Sequence, residues 1–392
     1  MNKVKIRKIG AQRILSGSPV IEPLDFAKKV ERTEGTIVSL FDQANQFVAK
    51  GYIGAESKHA GWILTKDQTE EIDTDFFVRV FKRAKGNRQA FELNEDTNAY
   101  RFLNAEGDGL GGLTIDNYAG FYVFSWYNEG IYKWKDTIIE AFTKSVPDFK
   151  GIYQKIRFSM EEKPEDFVTG KKAETPLIIK ENGIKYAVYL NEGQMTGIFL
   201  DQRNVRRKIM EEYAVGKTFL NTFSYTGAFS VAAAMAGATQ TTSVDLANRS
   251  LERTTEQFEV NGLDPADHFI RVMDVFDYFN YAKRHKMTFD VVVLDPPTFA
   301  RSKKKTFSVE KDYVKLIEEA IQVTEKDGVI IASTNSWKLK SETFESFIEE
   351  AFHNQNARYE IEEQFSLPED FRTNPYYSYG DYLKVMFIRK LS

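Results

Sequence analysis

The stretch Lys217–Gly237, KTFLNTFSYTGAFSVAAAMAG, decides the fold. KTFLNTF reads as a buried strand and AFSVAAAMAG as a small-residue helix, with a tight turn through Ser224, Tyr225, Thr226 and Gly227 between them. Outward from it the same rhythm continues. TQTTSVD, FIRVMDV, FDVVVLD and GVIIAST read as further strands, and NRSLERTTEQFEVNG and DYVKLIEEAIQVTE as helices between them. From about Asn191 onward this alternation predicts an α/β, doubly wound domain with a parallel sheet. Ligands of such sheets bind beyond the carboxyl ends of the strands, which places the chemistry at Phe223–Gly227, Asp245, Asp274 and Asp295.

Each of those ends has a distinct polarity. The turn Phe223, Ser224, Tyr225, Thr226, Gly227 lets backbone approach a ligand, but it lacks the G-x-G-x-x-G of a dinucleotide site, which disfavours NAD. Asp245 ends the second strand, followed by Leu246, where an acidic side chain accepts hydrogen bonds from a ribose diol; a strand-end Asp is also a common helix cap. Asp274 ends the third strand, placed to accept from an adenine amino group, with Val275 and Phe276 available for the ring. Together the three ends describe an adenosine pocket. The fourth strand ends in Asp295, Pro296, Pro297, Thr298 and Phe299. Two prolines hold this turn extended, so that Asp295 and the Pro296 carbonyl can accept from a base while Phe299 stacks on its face.

The rest of the chain reads as two smaller units. Residues 1–13 carry Lys3, Lys5, Arg7, Lys8 and Arg13 without an acidic residue, and GTIVSLFD, QFVAKGYI and HAGWILT follow as short strands. That suits a small β-barrel with a basic rim over residues 1–75. From Phe76 a helix presents a basic face (Arg79, Lys82, Arg83, Lys85, Arg88) and an apolar one, opening an α+β middle domain over 76–188; the catalytic domain then runs over 189–392. The glycine-rich AEGDGLGG (Ala105–Gly112) reads as a tight turn between strands.

Composition removes several classes of function. With no cysteine among 392 residues, disulfides, thiolate metal sites and thiol nucleophiles are all excluded. Four scattered histidines have no metal-ligand spacing, so no metal is expected. No apolar run approaches the roughly 18 residues of a membrane span and no secretion signal follows the basic start, which reads as cytoplasmic.

With these motifs in hand, the chain resembles the bacterial large-subunit ribosomal RNA methyltransferases, which join a PUA domain and a middle domain to a Rossmann-like class I S-adenosylmethionine-dependent methyltransferase domain. The resemblance rests on TGIFLDQRNVRR (Thr196–Arg207), FLNTFSYTGAFSVAAAMAGA (Phe219–Ala238), SVD (Ser243–Asp245), DPPTFARSKK (Asp295–Lys304) and LNAEGDGLGGLTID in the middle domain. It implies S-adenosyl-L-methionine as cofactor, ribosomal RNA as partner, and closure of Phe199, Asp201, Gln202 and Arg203 over the cofactor. Arg203 suits the methionine carboxylate. Arg203, Arg206 and Arg207 share one helix side, which would otherwise be a solvated basic face. Arg301, Lys303, Lys304 and Lys305, beside the DPPTF turn, join Lys3, Lys5, Arg7 and Lys8 as expected phosphate contacts. The sequence allows a homodimer without fixing one.

One departure matters. The best-known members methylate cytosine carbon 5 through a cysteine thiolate after the fifth strand, and here that loop reads Ser333, Thr334, Asn335, Ser336, Trp337, Lys338. This loop and DPPTFARSK more closely resemble the relatives that methylate guanine N7 in large-subunit RNA, which implies a methylated base nitrogen as product, guanine N7 ahead of an exocyclic amine; neither needs covalent activation. The alternatives are cytosine-C5 transfer by family analogy, a methyltransferase for protein or a small molecule, and a non-catalytic RNA-binding assembly factor.

Overall fold

The computed structural model describes residues 2–31, 33–56, 58–301 and 306–392, with only the backbone of 300, 301 and 306. The chain divides into two compact units whose segments interleave: Met1–Ile179 with Tyr189–Thr196 and Glu369–Gly380, and Lys180–Val188 with Gly197–Pro368 and Asp381–Ser392.

The first unit holds two sheets. Strands Asn2–Lys5, Ile37–Phe41, Phe47–Glu56, His59–Thr65 and Val20–Ile21 lie side by side in that order, the first pair parallel and the others antiparallel. Their alternate residues bury Val4, Leu40, Ala49 and Ile53 in one small core. The second sheet runs Phe167–Gly170, Gly151–Ile156, Phe121–Trp126, Leu113–Tyr118, Ala99–Asn104. Two helices cover it. Thr74–Asn87 begins at Asp73, whose carboxylate accepts from the Phe76 amide at 2.9 Å, and Lys135–Ser145 lays Phe142 edge-on against Phe81, Phe102, Tyr122 and Phe124.

The basic face expected over Arg79–Arg88 forms in part, exposed at Arg79, Lys82 and Arg83 but not at Arg88. Arg79 pairs with Glu70, Arg83 donates to the Asp108 carbonyl, and Arg88 is fully buried. Its guanidinium forks onto the Asp108 carboxylate with both contacts at 2.6 Å, and also donates to the carbonyls of Asp370 and Arg101. Arginine tolerates this burial because every donor direction meets an acceptor. The AEGDGLGG stretch likewise does more than join strands. It forms a short helical turn, Ala105–Asp108, against the segment Glu369–Gly380, and a Cβ on Gly107 would stand 1.8 Å from the Arg372 carbonyl oxygen.

The second unit is built on a seven-stranded sheet. Its strands are β1 Thr218–Thr222, β2 Gln240–Asp245, β3 Phe269–Val272, β4 Phe289–Leu294, β5 Thr324–Thr334, β6 Tyr359–Phe365 and β7 Lys384–Lys390, in the order β3-β2-β1-β4-β5-β7-β6. Strands β1 to β5 are parallel and β7 is antiparallel to both neighbours. Helices α1 Arg203–Lys208, α2 Ala228–Met235, α3 Arg249–Glu259, α4 Val275–Arg284, α5 Val309–Ile321 and α6 Ser341–Asn354 flank it. The near-continuous apolar runs of β4 (FDVVVL) and β5 follow from burial on both faces. Strand order reverses between β1 and β4, opening the crevice where doubly wound sheets bind ligands. Among the described residues no helix is long and apolar enough to cross a membrane, and no cluster of three potential metal ligands occurs.

Three of the four tryptophans (Trp62, Trp126 and Trp134) lie in the first unit, so tryptophan fluorescence reports mainly its unfolding. Arg88→Ala strands the buried Asp108 carboxylate and should cost this unit about 3–5 kcal/mol in urea denaturation. A loss below about 1 kcal/mol would mean the pair contributes no more than an exposed ion pair.

Candidate active site

Register brings the candidate residues together. Thr222, the last residue of β1, lies opposite Val244 of β2 and Leu294 of β4, so Phe223, Asp245 and Asp295 leave the sheet at one level. Leu294 in turn lies opposite Ala332 of β5, which sets Asp295 beside Ser333. The Thr222 hydroxyl donates to the Val293 carbonyl at 2.6 Å, and the Tyr313 hydroxyl of α5 donates to the Ser333 carbonyl at 2.6 Å.

The turn after β1 is strained. Phe223, Tyr225 and Gly227 have φ of 53°, 52° and 78°. Two non-glycine residues in the left-handed region within three positions is uncommon, and such backbone persists only where surroundings fix it. Asp245 supplies that fixation: one carboxylate oxygen accepts from the Tyr225 amide at 2.9 Å and the other from the Ala247 amide at 2.8 Å. Each oxygen keeps a lone pair for a further donor. The Thr226 hydroxyl ties the turn to the Gly197 carbonyl at 2.7 Å, and the Phe199 ring lies 5.4 Å from that of Tyr225.

Farther along the edge, Asp274 caps α4, with one carboxylate oxygen accepting from the Phe276 amide at 2.9 Å. Val275 is buried, while Leu246 is 52% exposed on the open side of the crevice. An aromatic wall that the sequence reading does not contain stands behind: Phe307 packs its ring 6.0 Å from Phe223 and 6.2 Å from Phe276. Phe307 belongs to a hairpin, Phe299–Arg301 with Thr306–Ser308, that grows from the DPPTF turn.

At the other side of the crevice, Gln202 is buried and donates its amide nitrogen to Asp295 Oδ1 at 3.2 Å and to Ser333 Oγ at 2.8 Å. Its carbonyl oxygen, Oε1, is buried with no hydrogen-bond partner among the described residues. An orphan acceptor of this kind costs about 1–3 kcal/mol. Burial raises the Asp295 carboxyl to about 6, with the charge of Asp201 adding to the rise and Ser333, Arg206 and Gln202 opposing it. Pro296 is buried; Pro297 and Phe299 are exposed, Phe299 by 58%. Asn335 accepts from the Thr298 hydroxyl at 2.6 Å, joining the loops after β4 and β5.

Not every expected residue enters the crevice alike. Arg203 is buried and Arg207 exposed; Arg206 is buried too, bidentate on Glu181 at 2.6 and 2.9 Å and bonded to the Phe199 carbonyl, so it clasps the closing segment instead of forming a solvated face. Asp201 accepts from the Tyr382 hydroxyl at 2.8 Å. Lys3, Lys5, Arg7 and Lys8 are all exposed on the first unit. The Arg301 side chain and Lys303, Lys304 and Lys305 lie outside the described residues. The link from Gln202 to Ser333 is absent from the sequence reading; aligning the ends of VVVLD and VIIAS residue for residue would have set Ser333 beside Asp295.

Comparison with known proteins agrees with this geometry. Residues 145–375 match the family model for S-adenosylmethionine-dependent methyltransferases, and residues 4–66 match a PUA-like domain. The chain is 50% identical over its whole length, and over the whole relative, to YwbD of Bacillus subtilis, a candidate ribosomal RNA large subunit methyltransferase. It is 32% identical to ribosomal RNA large subunit methyltransferase I of Shewanella denitrificans over 91% of this chain and 90% of that one. The solved structure of SMU.776, a candidate methyltransferase complexed with SAH, superposes with a TM-score of 0.93 at 41% identity, covering 99% of this chain and 100% of that one.

The turn makes a sharp prediction. A Cβ at Gly227 would stand 2.5 Å from Thr254 Cγ2, whereas Gly216, also left-handed at φ 71°, has nothing within 4 Å. Gly216→Ala should cost only the backbone term, about 1–2 kcal/mol, and Gly227→Ala distinctly more. Thr254→Ser, which removes the clashing methyl, should recover the excess in a double-mutant cycle by chemical denaturation; equal losses at both glycines would refute the close-packing account.

Proposed function

The chain belongs to the S-adenosylmethionine-dependent methyltransferases, and from that premise we propose that it methylates a base nitrogen of large-subunit ribosomal RNA, guanine N7 foremost, without a covalent enzyme intermediate. The observation that carries the reading is the placement of a partly buried carboxylate, Asp295, at the strand-end crevice in a chain that contains no cysteine.

The residues present fit the cofactor. Asp245 accepts from the ribose diol, Asp274 and Val275 frame the adenine with Leu246 and Phe276, and the Phe223–Gly227 turn brings backbone amides and the Tyr225 and Thr226 side chains to the methionine end. Phe199, Asp201 and Arg203 close that end, with Arg203 as the cation for the carboxylate. When bound, the cofactor supplies an electrophilic methyl group on its sulfonium. This chain's part is to hold an acceptor nitrogen in line with that methyl and to keep water out.

The base side follows from Asp295, Pro296, Pro297 and Phe299. The exposed Phe299 ring offers a stacking face for a base lifted from its helix, a contact worth about 1–3 kcal/mol. Asp295 and the Pro296 carbonyl accept from the base's N–H groups, and the rigid diproline keeps both in place. Guanine N7 carries an exposed lone pair, so alignment is sufficient for transfer. Lys3, Lys5, Arg7 and Lys8, with Arg301, Lys303, Lys304 and Lys305, supply phosphate contacts. The name of the relative in Bacillus subtilis and the PUA-like segment support RNA over a protein or a small molecule as the acceptor.

The test is to incubate the protein with methyl-labelled S-adenosylmethionine and unmodified large-subunit RNA transcript, digest to nucleosides, and identify the labelled product by mass spectrometry. An N-methylated nucleoside is expected; 5-methylcytosine would overturn the assignment. In calorimetry, Asp245→Asn should weaken S-adenosylmethionine binding by about 1.5–3 kcal/mol, the loss for a hydrogen bond to a charged group, and undiminished affinity would remove Asp245 from the pocket.

A further inference from the structure

We infer that Gln202 and Ser333 are positioning residues for Asp295, a donor pair that holds its carboxylate ionised and fixed in orientation, so that Gln202 serves the acceptor side of the site and not the cofactor side. This rests on the proposed role of Asp295 as the group that receives the base.

Three observations carry it. First, the bonds have an unambiguous direction. A carboxylate can only accept, so the Gln202 amide must present its nitrogen to Asp295, and that nitrogen also reaches Ser333 Oγ. Ser333, having accepted from Gln202, keeps its single hydroxyl proton free to turn toward the neighbouring Asp295, whose carboxyl it helps to lower. Donor groups thus reach the carboxylate from two segments 131 residues apart, the turn Leu200–Gln202 and the end of β5.

Second, the arrangement sacrifices stability. Turning the amide over would set Oε1 against a carboxylate, so the carbonyl is left buried without a partner. Ten other buried side-chain atoms among the described residues also lack a partner, so the orphan counts here for the direction it gives the amide. A residue retained only for packing would be better served by an apolar side chain.

Third, the surroundings work against ionisation, so donors are needed. Asp201 faces Asp295 with like charge, and Tyr313 of α5 approaches as a neutral hydroxyl whose own titration is pushed well up by burial and by Asp295. The cation that faces it, Arg206 of α1, is committed to Glu181. Removal of either donor should therefore raise the pH at which Asp295 ionises. As an acceptor Asp295 works in its ionised form, so activity is present above that pH and is lost as pH falls through it.

The experiment compares the pH dependence of kcat/KM for methyl transfer to unmodified large-subunit RNA transcript in the native enzyme, Gln202→Met, Ser333→Ala, Ser333→Thr and Asp295→Asn, with SAH affinity measured on each by calorimetry. Expected are an acid limb near pH 6 in the native enzyme, a limb about one pH unit higher in Gln202→Met and Ser333→Ala, and its return in Ser333→Thr, with SAH affinity within twofold throughout. Losses equal at every pH would mean a merely structural role and overturn the inference. A fall in SAH affinity in Gln202→Met with the acid limb unmoved would return Gln202 to the cofactor. Full activity in Asp295→Asn would instead refute the reading of Asp295 on which the inference stands.

Discussion

The parallel register of β1, β2, β4 and β5 is the constraint on which the site depends. Because Thr222 is opposite both Val244 and Leu294, and Leu294 is opposite Ala332, the next residues Phe223, Asp245, Asp295 and Ser333 come to one level across the sheet without any dedicated scaffold. A slip of a single residue would turn Asp245 or Asp295 to the other face of the sheet. The apolar runs of β4 and β5, buried on both sides, hold that register and thereby fix the distance between Asp245 and Asp295. Pre-organisation here is a property of the sheet before it is a property of the turn.

Much of this was legible in the sequence because it is local. A buried run such as FDVVVL followed by Asp-Pro-Pro announces a strand, its end and a rigid turn within ten residues, and the same holds for TTSVD. What was not legible is non-local or disguised. β6, YEIEEQF, carries three glutamates because it is the edge strand, and its burial is only partial; Glu362 is held there by Arg389 of the neighbouring strand. Strand β7 runs antiparallel, which breaks the alternation by which the others were found. Arg88 looks like a member of a basic helix face until Asp108 and the Asp370 carbonyl are in place around it, and the latter lies 282 residues away. The contact of Gln202 with Asp295 spans 93 residues and that with Ser333 spans 131, beyond any local pattern.

The chemistry follows from how the two carboxylates are treated. Asp245 accepts one backbone amide on each oxygen and keeps a lone pair on each for a further donor. Asp295 is desolvated and faces the like charge of Asp201, while Ser333, Arg206 and Gln202 oppose the resulting rise. On the proposed reading such a site aligns an acceptor that is already nucleophilic, and the chain has no cysteine to activate carbon 5 of a pyrimidine by addition. Absence of cysteine and the strand-end geometry thus point to the same class of transfer.

The most direct test of this account separates binding from transfer at Asp295. SAH affinity by calorimetry and single-turnover methyl transfer to unmodified large-subunit RNA should be measured side by side for the native enzyme and Asp295→Asn. Affinity within about twofold together with loss of transfer, by at least about a hundredfold for a misplaced acceptor, is the predicted result. A parallel loss of SAH affinity would contradict it, because Asp295 would then belong to the cofactor and the division of the crevice into donor and acceptor sides would fall.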